Sequence, residues 1–327
     1  MRLKAYGACV IVFFCLGAPV RAAGVQLLDS DPGLAGAIWY PCAGEPKDVR
    51  LGTLAPPADL GLTGVKDCPV PAVKLPLVIF SHGRGAWFGA HHDTAEALAD
   101  AGFVVAAINH PGDNGNDLSR RDDLSGYASR PLDMIRLLDF MLRDWTDRAV
   151  VDPARIGFFG FSKGGYTGLV LIGVTPDFKR IAEVCKEETG ACAQLHSGEA
   201  APNPPHDPRI RAAVIVDPAS GAFTRDNLAA IDVPLQHWRS ERGGPGVGDG
   251  SGNARIASSL SGNPDLHVVP AGHFAFLAPC SPQLAAAIPR ICADNPPEFD
   301  RAGFHREFNA SVVRFFQDHL DGRSGPR

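Results

Sequence analysis

Residues 155–164, with the sequence RIGFFGFSKG, decide the fold class of this chain. The stretch Arg155 to Phe159 predicts a strand, Gly160 to Gly164 matches the pattern G-x-S-x-G, and Tyr166 to Ile172 predicts a helix. A strand, a sharp turn and a helix in this order form the context in which such a turn holds a serine hydroxyl above a parallel sheet. Ser162 is therefore the candidate nucleophile.

The rest of the chain alternates between strand and helix patterns. Short apolar runs predict further strands, which lie at residues 35–40, 77–80, 103–107, 212–216, 233–238 and 266–269. Helices are expected at residues 94–101, from Pro131, which is favoured at a first helical position, to about Leu142, and at residues 304–320. This alternation predicts an α/β fold with a mostly parallel central sheet and helices on both faces.

Two segments interrupt the alternation. Residues 175–208 are rich in charged residues, proline and cysteine, so we expect an insertion that forms a small cap or lid over the sheet. Residues 243–252 are rich in glycine but follow a strand without opening a helix, which argues against a phosphate-binding loop. We expect a flexible loop beside the active site there.

Composition and charge restrict the class of function. The chain has 327 residues, of which 45% are hydrophobic, and we expect one catalytic domain over residues 23–327. Its formal net charge of −5 provides no basic surface for a polyanion, so nucleic-acid binding is disfavoured. The sequence implies neither a metal nor an organic cofactor.

The N-terminal residues have the pattern of a secretory signal peptide. Arg2 and Lys4 precede an apolar run from Ala8 to Leu16, and small residues follow around Ala22. A membrane anchor is the alternative, but this run is much shorter than the roughly 20 residues that a spanning helix needs. We expect cleavage of residues 1–22, no stable membrane anchor, and export to the periplasm or to the outside of the cell.

Six of the eight cysteines lie after the expected signal peptide. An even number of cysteines in an exported chain indicates disulfides. Two close pairs lie in polar, proline-rich stretches, and the third pair follows by elimination, so the expected bridges are Cys42–Cys68, Cys185–Cys192 and Cys280–Cys292. A metal site is the alternative, but these cysteines lack the CxxC spacing that zinc sites prefer.

A serine hydroxyl needs a base that accepts its proton as it attacks a carbonyl. His273 lies just beyond the last expected strand, and loops at the carboxyl ends of parallel strands meet in one crevice. The third member is a carboxylate that orients the imidazole. Asp217 directly follows the strand at residues 212–216, whereas Glu241 follows the next strand. We favour Asp217 and keep Glu241 as the alternative acid.

Two backbone N–H groups are expected to hold the oxyanion of a tetrahedral intermediate. One is the N–H of Lys163, which follows the serine in the turn. The other should come from the loop after the strand at residues 77–80, where the sequence from His82 to Gly85 allows close approach of the backbone. We choose the N–H of Arg84 as this second donor.

The chain resembles bacterial dienelactone-hydrolase-like proteins and platelet-activating factor acetylhydrolases in four stretches, residues 80–83, 160–165, 216–217 and 272–274. The resemblance spans residues 36–320. It implies an α/β-hydrolase fold and a serine esterase. The acetylhydrolases carry their acid after the strand that follows the nucleophile helix, which supports Asp217. Dienelactone hydrolases carry a cysteine as nucleophile, so Ser162 departs from them.

We therefore expect an exported serine hydrolase that cleaves small or short-acyl carboxylic esters, lipid esters among them, through an acyl-enzyme. Its partner is a small-molecule ester, and the sequence does not indicate the oligomeric state. Two alternatives remain open. A secreted serine peptidase with the same triad would cleave amides at rates comparable to esters, and a non-catalytic binding protein on the same fold would turn over neither.

Overall fold

The computed structural model describes residues 21–55 and 61–320. The strands of these ranges are β1 (Arg21–Leu28), β2 (Gly36–Ala43), β3 (Lys47–Val49), β4 (Leu62–Lys66), β5 (Leu75–Ser81), β6 (Val104–Ile108), β7 (Val151–Phe161), β8 (Ala212–Val216), β9 (Leu235–Ser240) and β10 (Asp265–Val269). Their α-helices are α1 (His92–Asp100), α2 (Gly126–Arg143), α3 (Lys163–Leu171), α4 (Phe178–Val184), α5 (Gly190–His196), α6 (Arg225–Leu228), α7 (Ser251–Ser259), α8 (Pro282–Ala287), α9 (Pro289–Cys292) and α10 (Arg301–Leu320).

The described strands form one sheet in the order β10-β9-β8-β7-β5-β6-β2-β1-β4-β3. The strands from β10 to β6 in this order are parallel to their neighbours, and β2 joins β6 in the antiparallel direction. The chain passes from β5 to β6 on one side and then crosses to β7 on the other side of β5. Ligands of open α/β sheets bind at the carboxyl ends of the strands where the strand order reverses in this way.

Helices cover both faces of the sheet. Met134 and Leu169, on α2 and α3, are fully buried against one face, and Leu98 and Phe308, on α1 and α10, are fully buried against the other. Strands β5, β6 and β8 are buried along their whole length, as parallel strands with both faces covered require. The predicted α/β architecture is therefore confirmed.

Helix α2 begins at Gly126, so the predicted start at Pro131 is wrong. A proline inside a helix has no N–H to donate to the carbonyl four residues earlier, here that of Tyr127. The hydroxyl of Tyr166 on α3 donates to this carbonyl instead, at 3.3 Å. Tertiary contact thus satisfies the acceptor that the proline leaves free. Leu132, which the sequence pattern placed on the buried face, is 52% exposed.

The two interrupting segments contain helices. Gly250 precedes α7, so the expectation that residues 243–252 open no helix is wrong. Residues 175–208 contain α4 and α5, and α5 is attached to the loop before α2 through the N–H of Ala191, which donates to the carbonyl of Asp122 at 2.7 Å. Strands β1, β3 and β4 are additional to the predicted elements.

Disulfides join the three cysteine pairs expected from the sequence, which are Cys42–Cys68, Cys185–Cys192 and Cys280–Cys292. Residues 1–20, which hold nearly all of the expected signal peptide, lie outside the described residues, and β1 begins at Arg21. No helix in the two described ranges is both long enough and apolar enough to cross a bilayer.

Buried histidines, among them His91 and His237, should make the stability of the fold depend on pH. Burial lowers the pKa of His91 to about 3 and that of His237 to about 4, both from 6.5. Between pH 6.5 and 4 the unfolded chain then binds more protons than the folded chain, so the free energy of unfolding decreases as the pH falls through this window.

We expect urea unfolding midpoints, measured with the disulfides intact, to decrease from about pH 7 to about pH 4 as the buried histidines become protonated on unfolding. His237→Asn removes one of these histidines and should make the decrease smaller. The same pH dependence in both proteins would contradict this origin.

Candidate active site

Ser162 lies between β7 and α3 in a strained backbone conformation, with φ 57° and ψ −117°. Few residues other than glycine adopt such values, and they persist only where the surrounding structure holds them. The N–H of Ser162 donates to the carbonyl of Val216 at 2.9 Å, and its carbonyl accepts from the N–H groups of Tyr166 and Ala219. Bonds to β8, to α3 and to the loop after β8 therefore fix the turn.

The flanking glycines are required by close backbone approaches. A Cβ atom on Gly160 would overlap the carbonyl oxygen of Gly164, and a Cβ atom on Gly164 would overlap the carbonyl oxygen of Ser81. The first contact closes the turn on itself. The second places the start of α3 against the end of β5.

The structure brings Ser162, His273 and Asp217 together. The distance from His273 Nε2 to Ser162 Oγ is 3.0 Å, and that from His273 Nδ1 to Asp217 Oδ2 is 2.6 Å. His273 is 2% exposed, its N–H donates to the carbonyl of Gly243, and its ring stacks on that of Phe161 with centroids 4.5 Å apart. The imidazole therefore has one orientation, with one nitrogen toward each partner.

Asp217 is fully buried and accepts four hydrogen bonds. Its Oδ1 accepts from the N–H of Ser240 at 3.0 Å and from Nδ2 of Asn253 at 2.8 Å, while its Oδ2 accepts from the hydroxyl of Ser240 at 2.6 Å as well as from His273. The alternative acid, Glu241, has an exposed side chain. The geometry therefore favours Asp217 as the partner of His273.

Ser240 and Asn253 were not among the residues that the sequence identifies. Ser240 is the last residue of β9, which lies beside the strand that Asp217 follows. This place at a strand end is the only sequence signal that could have indicated its contact with Asp217. Asn253 lies on α7, a helix that the sequence pattern does not predict. Nothing in its local sequence indicates a contact with a carboxylate 36 positions away.

The loop after β5 lies against Ser162. A Cβ atom on Gly83 would lie 3.4 Å from that of Ser162. His82 Nδ1 donates to the carbonyl of Gly83 at 2.7 Å, and its Nε2 accepts from the N–H of His110 at 3.2 Å. Arg84, the residue chosen as a second oxyanion donor, follows in this loop with an exposed side chain that pairs with Asp122.

The glycine-rich loop between β9 and α7 covers the other side of the site. A Cβ atom on Gly246 would lie 3.9 Å from Ser162 Oγ, and one on Gly244 would lie 2.9 Å from the Cβ of His273. Ser162 itself is 7% exposed. The mouth above the hydroxyl is therefore narrow and lined by main chain.

A second serine, histidine and aspartate form a similar chain of contacts. Ser81 Oγ lies 2.9 Å from His110 Nε2, and His110 Nδ1 lies 3.1 Å from Asp133 Oδ2. Burial and the nearby Arg130 hold the pKa of His110 well below its usual value, and burial raises the pKa of Asp133 to about 6. Ser81 is 1% exposed and lies in the extended strand β5, so its hydroxyl cannot reach a substrate.

Comparison with solved structures identifies the fold. A ferulic acid esterase from Streptomyces cinnamoneus matches with a TM-score of 0.61 over 95% of this chain and 94% of that chain, at 20% sequence identity. The chain has an α/β-hydrolase fold. The fold class expected from the sequence is thus confirmed.

A family model gives a further match. The model described as platelet-activating factor acetylhydrolase, isoform II, matches residues 66–118, which include β5, α1, β6 and the loop that carries His82 to Gly85. The expected resemblance to this family is confirmed over these residues, and it indicates a carboxylic ester hydrolase. No curated protein gives a significant match to the sequence of this chain.

The contact between α3 and β5 predicts that Gly164→Ala destabilises the fold by about 3 kcal/mol or more, since a methyl group would overlap main chain that cannot move aside. Thermal unfolding of the purified variant measures this loss. Gly61→Ala, at an exposed glycine with open space around its Cβ position, is the control and should leave the midpoint nearly unchanged. Equal midpoints for the two variants would contradict the steric role of Gly164.

Proposed function

We propose that this α/β-hydrolase is an exported serine esterase in which Ser162 is the nucleophile, His273 the general base and Asp217 the residue that orients the histidine. The observation that carries the proposal is the continuous hydrogen-bonded path from Ser162 Oγ through His273 to Asp217. The strained turn at Ser162 also supports it, because backbone strain of this kind is concentrated at functional sites.

The reaction begins with attack of Ser162 Oγ on the ester carbonyl carbon. The proton of the hydroxyl passes to Nε2 of His273, whose Nδ1–H donates to Asp217, so that the carboxylate stabilises the imidazolium. The N–H groups of Arg84 and Lys163 hold the oxyanion of the tetrahedral intermediate. His273 then returns the proton to the leaving alcohol, and an acyl-enzyme remains.

Water completes the cycle. His273 Nε2 accepts a proton from a water molecule as its oxygen attacks the acyl carbonyl, and a second oxyanion forms between the same two N–H groups. Collapse of this intermediate releases the carboxylic acid and returns the proton to Ser162. Every group in these steps belongs to the chain, to the substrate or to water, so the mechanism requires no cofactor.

The substrates are small or short-acyl carboxylic esters. The narrow, main-chain-lined mouth above Ser162 favours a small acyl group, and the matching family is named for acetyl hydrolysis. The three disulfides and the signal-like residues 1–22 support export. We further propose that residues 23–327 form one catalytic domain whose insertion at residues 175–208 caps the sheet.

Activity toward para-nitrophenyl acetate tests the nucleophile. Ser162→Ala should lower kcat by at least about 10³-fold, because nothing else in the site can form the acyl-enzyme. Ser81→Ala is the matched control, since it also removes a serine hydroxyl bonded to a histidine, and it should keep most of the activity. Unchanged activity of Ser162→Ala would refute the proposal.

The matching para-nitroanilide, assayed beside the ester, separates the esterase from a peptidase. Turnover of the anilide at a rate comparable to that of the ester would favour the peptidase, and turnover of neither would favour a binding protein. We expect turnover of the ester alone.

Two further variants test the acid. Asp217→Asn should lower kcat by about 10⁴-fold, because the neutral amide can no longer hold His273 in the required tautomer or stabilise its positive charge. Glu241→Gln should leave kcat within about twofold, as expected for an exposed surface substitution. The reverse pattern of losses would transfer the role to Glu241.

A further inference from the structure

A buried cluster of charged side chains lies behind the loop after β5. Oδ2 of Asp113 lies 2.9 Å from Nε of Arg130 and 2.9 Å from Nζ of Lys163, and Oδ1 accepts from the N–H of Gly85 at 2.7 Å. The three charged residues are at most 5% exposed. Charges are rarely buried without a specific reason, because their desolvation is costly even when they are paired.

The charge states of the cluster follow from its geometry. Burial alone would raise the pKa of Asp113, but Arg130 and Lys163 hold it well below its usual value. Burial and the nearby Arg130 lower the pKa of Lys163 to about 8. One carboxylate therefore faces two cations, and the mechanism proposed above uses the side chain of none of the three.

Arg130 fixes the direction of one peptide group beside the nucleophile. Its Nη1 donates to the carbonyl of His82 at 2.6 Å, and its Nη2 donates to the carbonyl of Gly83 at 3.1 Å. The C=O and N–H of a trans peptide point in opposite directions, so a Gly83 carbonyl turned toward Arg130 turns the N–H of Arg84 away from it. Within the described ranges, the hydrogen bonds include no protein acceptor for this N–H.

The next peptide group is held by the same cluster. The N–H of Gly85 donates to Asp113, and Gly85 has φ 62°, which suits a glycine at a tight turn. The peptide groups on both sides of Arg84 are thus attached to one buried ion pair, that of Arg130 with Asp113. Rotation of either peptide would break at least one of these bonds.

Lys163 connects the nucleophile turn to this cluster. It directly follows Ser162 and is the first residue of α3, and its ammonium group donates to Asp113 and, at 2.8 Å, to the carbonyl of Arg121. The side chain of Lys163, whose N–H is the first oxyanion donor, therefore bonds to Asp113. The same carboxylate holds the loop of Arg84, which carries the second donor.

We propose that Asp113, Arg130 and Lys163 are positioning residues that hold the two oxyanion donors, the N–H groups of Arg84 and Lys163, in one fixed arrangement. The proposal rests on the proposed esterase function, because the cluster would act on the tetrahedral intermediate of that reaction. The two N–H groups stabilise the oxyanion of the tetrahedral intermediate. This negative charge develops in the transition state and is absent from the bound ester, so the cluster affects kcat more than KM.

The test compares Arg130→Lys with wild type. Lysine keeps a positive charge beside Asp113, but it cannot donate to two carbonyls and a carboxylate in the planar geometry of a guanidinium. With para-nitrophenyl acetate, kcat should fall by about 10- to 100-fold while KM stays within about threefold. Arg209→Lys is the matched control, because Arg209 bonds to Asp207 and Asp139, and it should leave kcat unchanged.

A second measurement separates positioning from a structural role. A short-chain trifluoromethyl ketone forms a hemiketal with the serine, and its oxygen mimics the oxyanion. In Arg130→Lys the inhibition constant of this ketone should rise by about the same factor by which kcat/KM falls. Rates are expressed per folded enzyme, with the folded fraction taken from thermal unfolding. Lys163→Met, which keeps the main-chain N–H, should likewise lower kcat and raise the inhibition constant.

The outcomes distinguish this proposal from the function on which it rests. If Ser162→Ala is inactive but Arg130→Lys and Lys163→Met keep wild-type kcat and inhibition constants, the esterase stands and the positioning role is overturned. A loss of stability with unchanged kinetics per folded enzyme also overturns it. Activity in Ser162→Ala overturns the proposed function, and the positioning role with it.

Discussion

The site depends on a close approach of two backbone segments, the start of α3 and the end of β5. Gly164 lies so near the carbonyl of Ser81 that no side chain fits between them. This contact brings the loop from His82 to Gly85 beside Ser162, although about 80 positions separate them in sequence. It lies where the strand order reverses between β5 and β7, which is where an open α/β sheet leaves a crevice. The glycines of the turn are thus needed for tertiary packing as well as for the strained serine.

Two buried carboxylates flank Ser162, and each is satisfied by donors from several elements. Asp217, on the side of the histidine, accepts bonds from Ser240 and Asn253. Asp113, on the side of the β5 loop, pairs with Arg130 and Lys163. Burying a carboxylate is tolerated only when its hydrogen-bonding capacity is met, so each network is rigid. The network of Asp217 orients His273, which contacts the serine hydroxyl. The network of Asp113 orients main-chain N–H groups of the β5 loop.

The buried set of Ser81, His110 and Asp133 shows that these three residue types at hydrogen-bonding distance do not by themselves make a reactive site. The distances resemble those around Ser162, but Ser81 is in an extended strand with no access to solvent. Ser162 differs because the positive φ of its turn lifts the side chain out of the sheet at the crevice. The contacts of Ser81, His110 and Asp133 join the ends of β5 and β6 to α2. They hold the strand from which the β5 loop leaves.

The sequence by itself determined the α/β architecture, the turn at Ser162, the cysteine pairs and the positions of His273 and Asp217 at strand ends. These features could be predicted because short stretches of residues, and their order along the chain, determine strands and turns. Only the tertiary structure decided where α2 begins, with the Tyr166 hydroxyl bonded to the carbonyl that Pro131 leaves free, and the choice of Asp217 over Glu241 as the contact of His273. It also decided the roles of residues such as Asn253 and Arg130, whose contacts join distant segments and leave no periodic or motif signal in the chain.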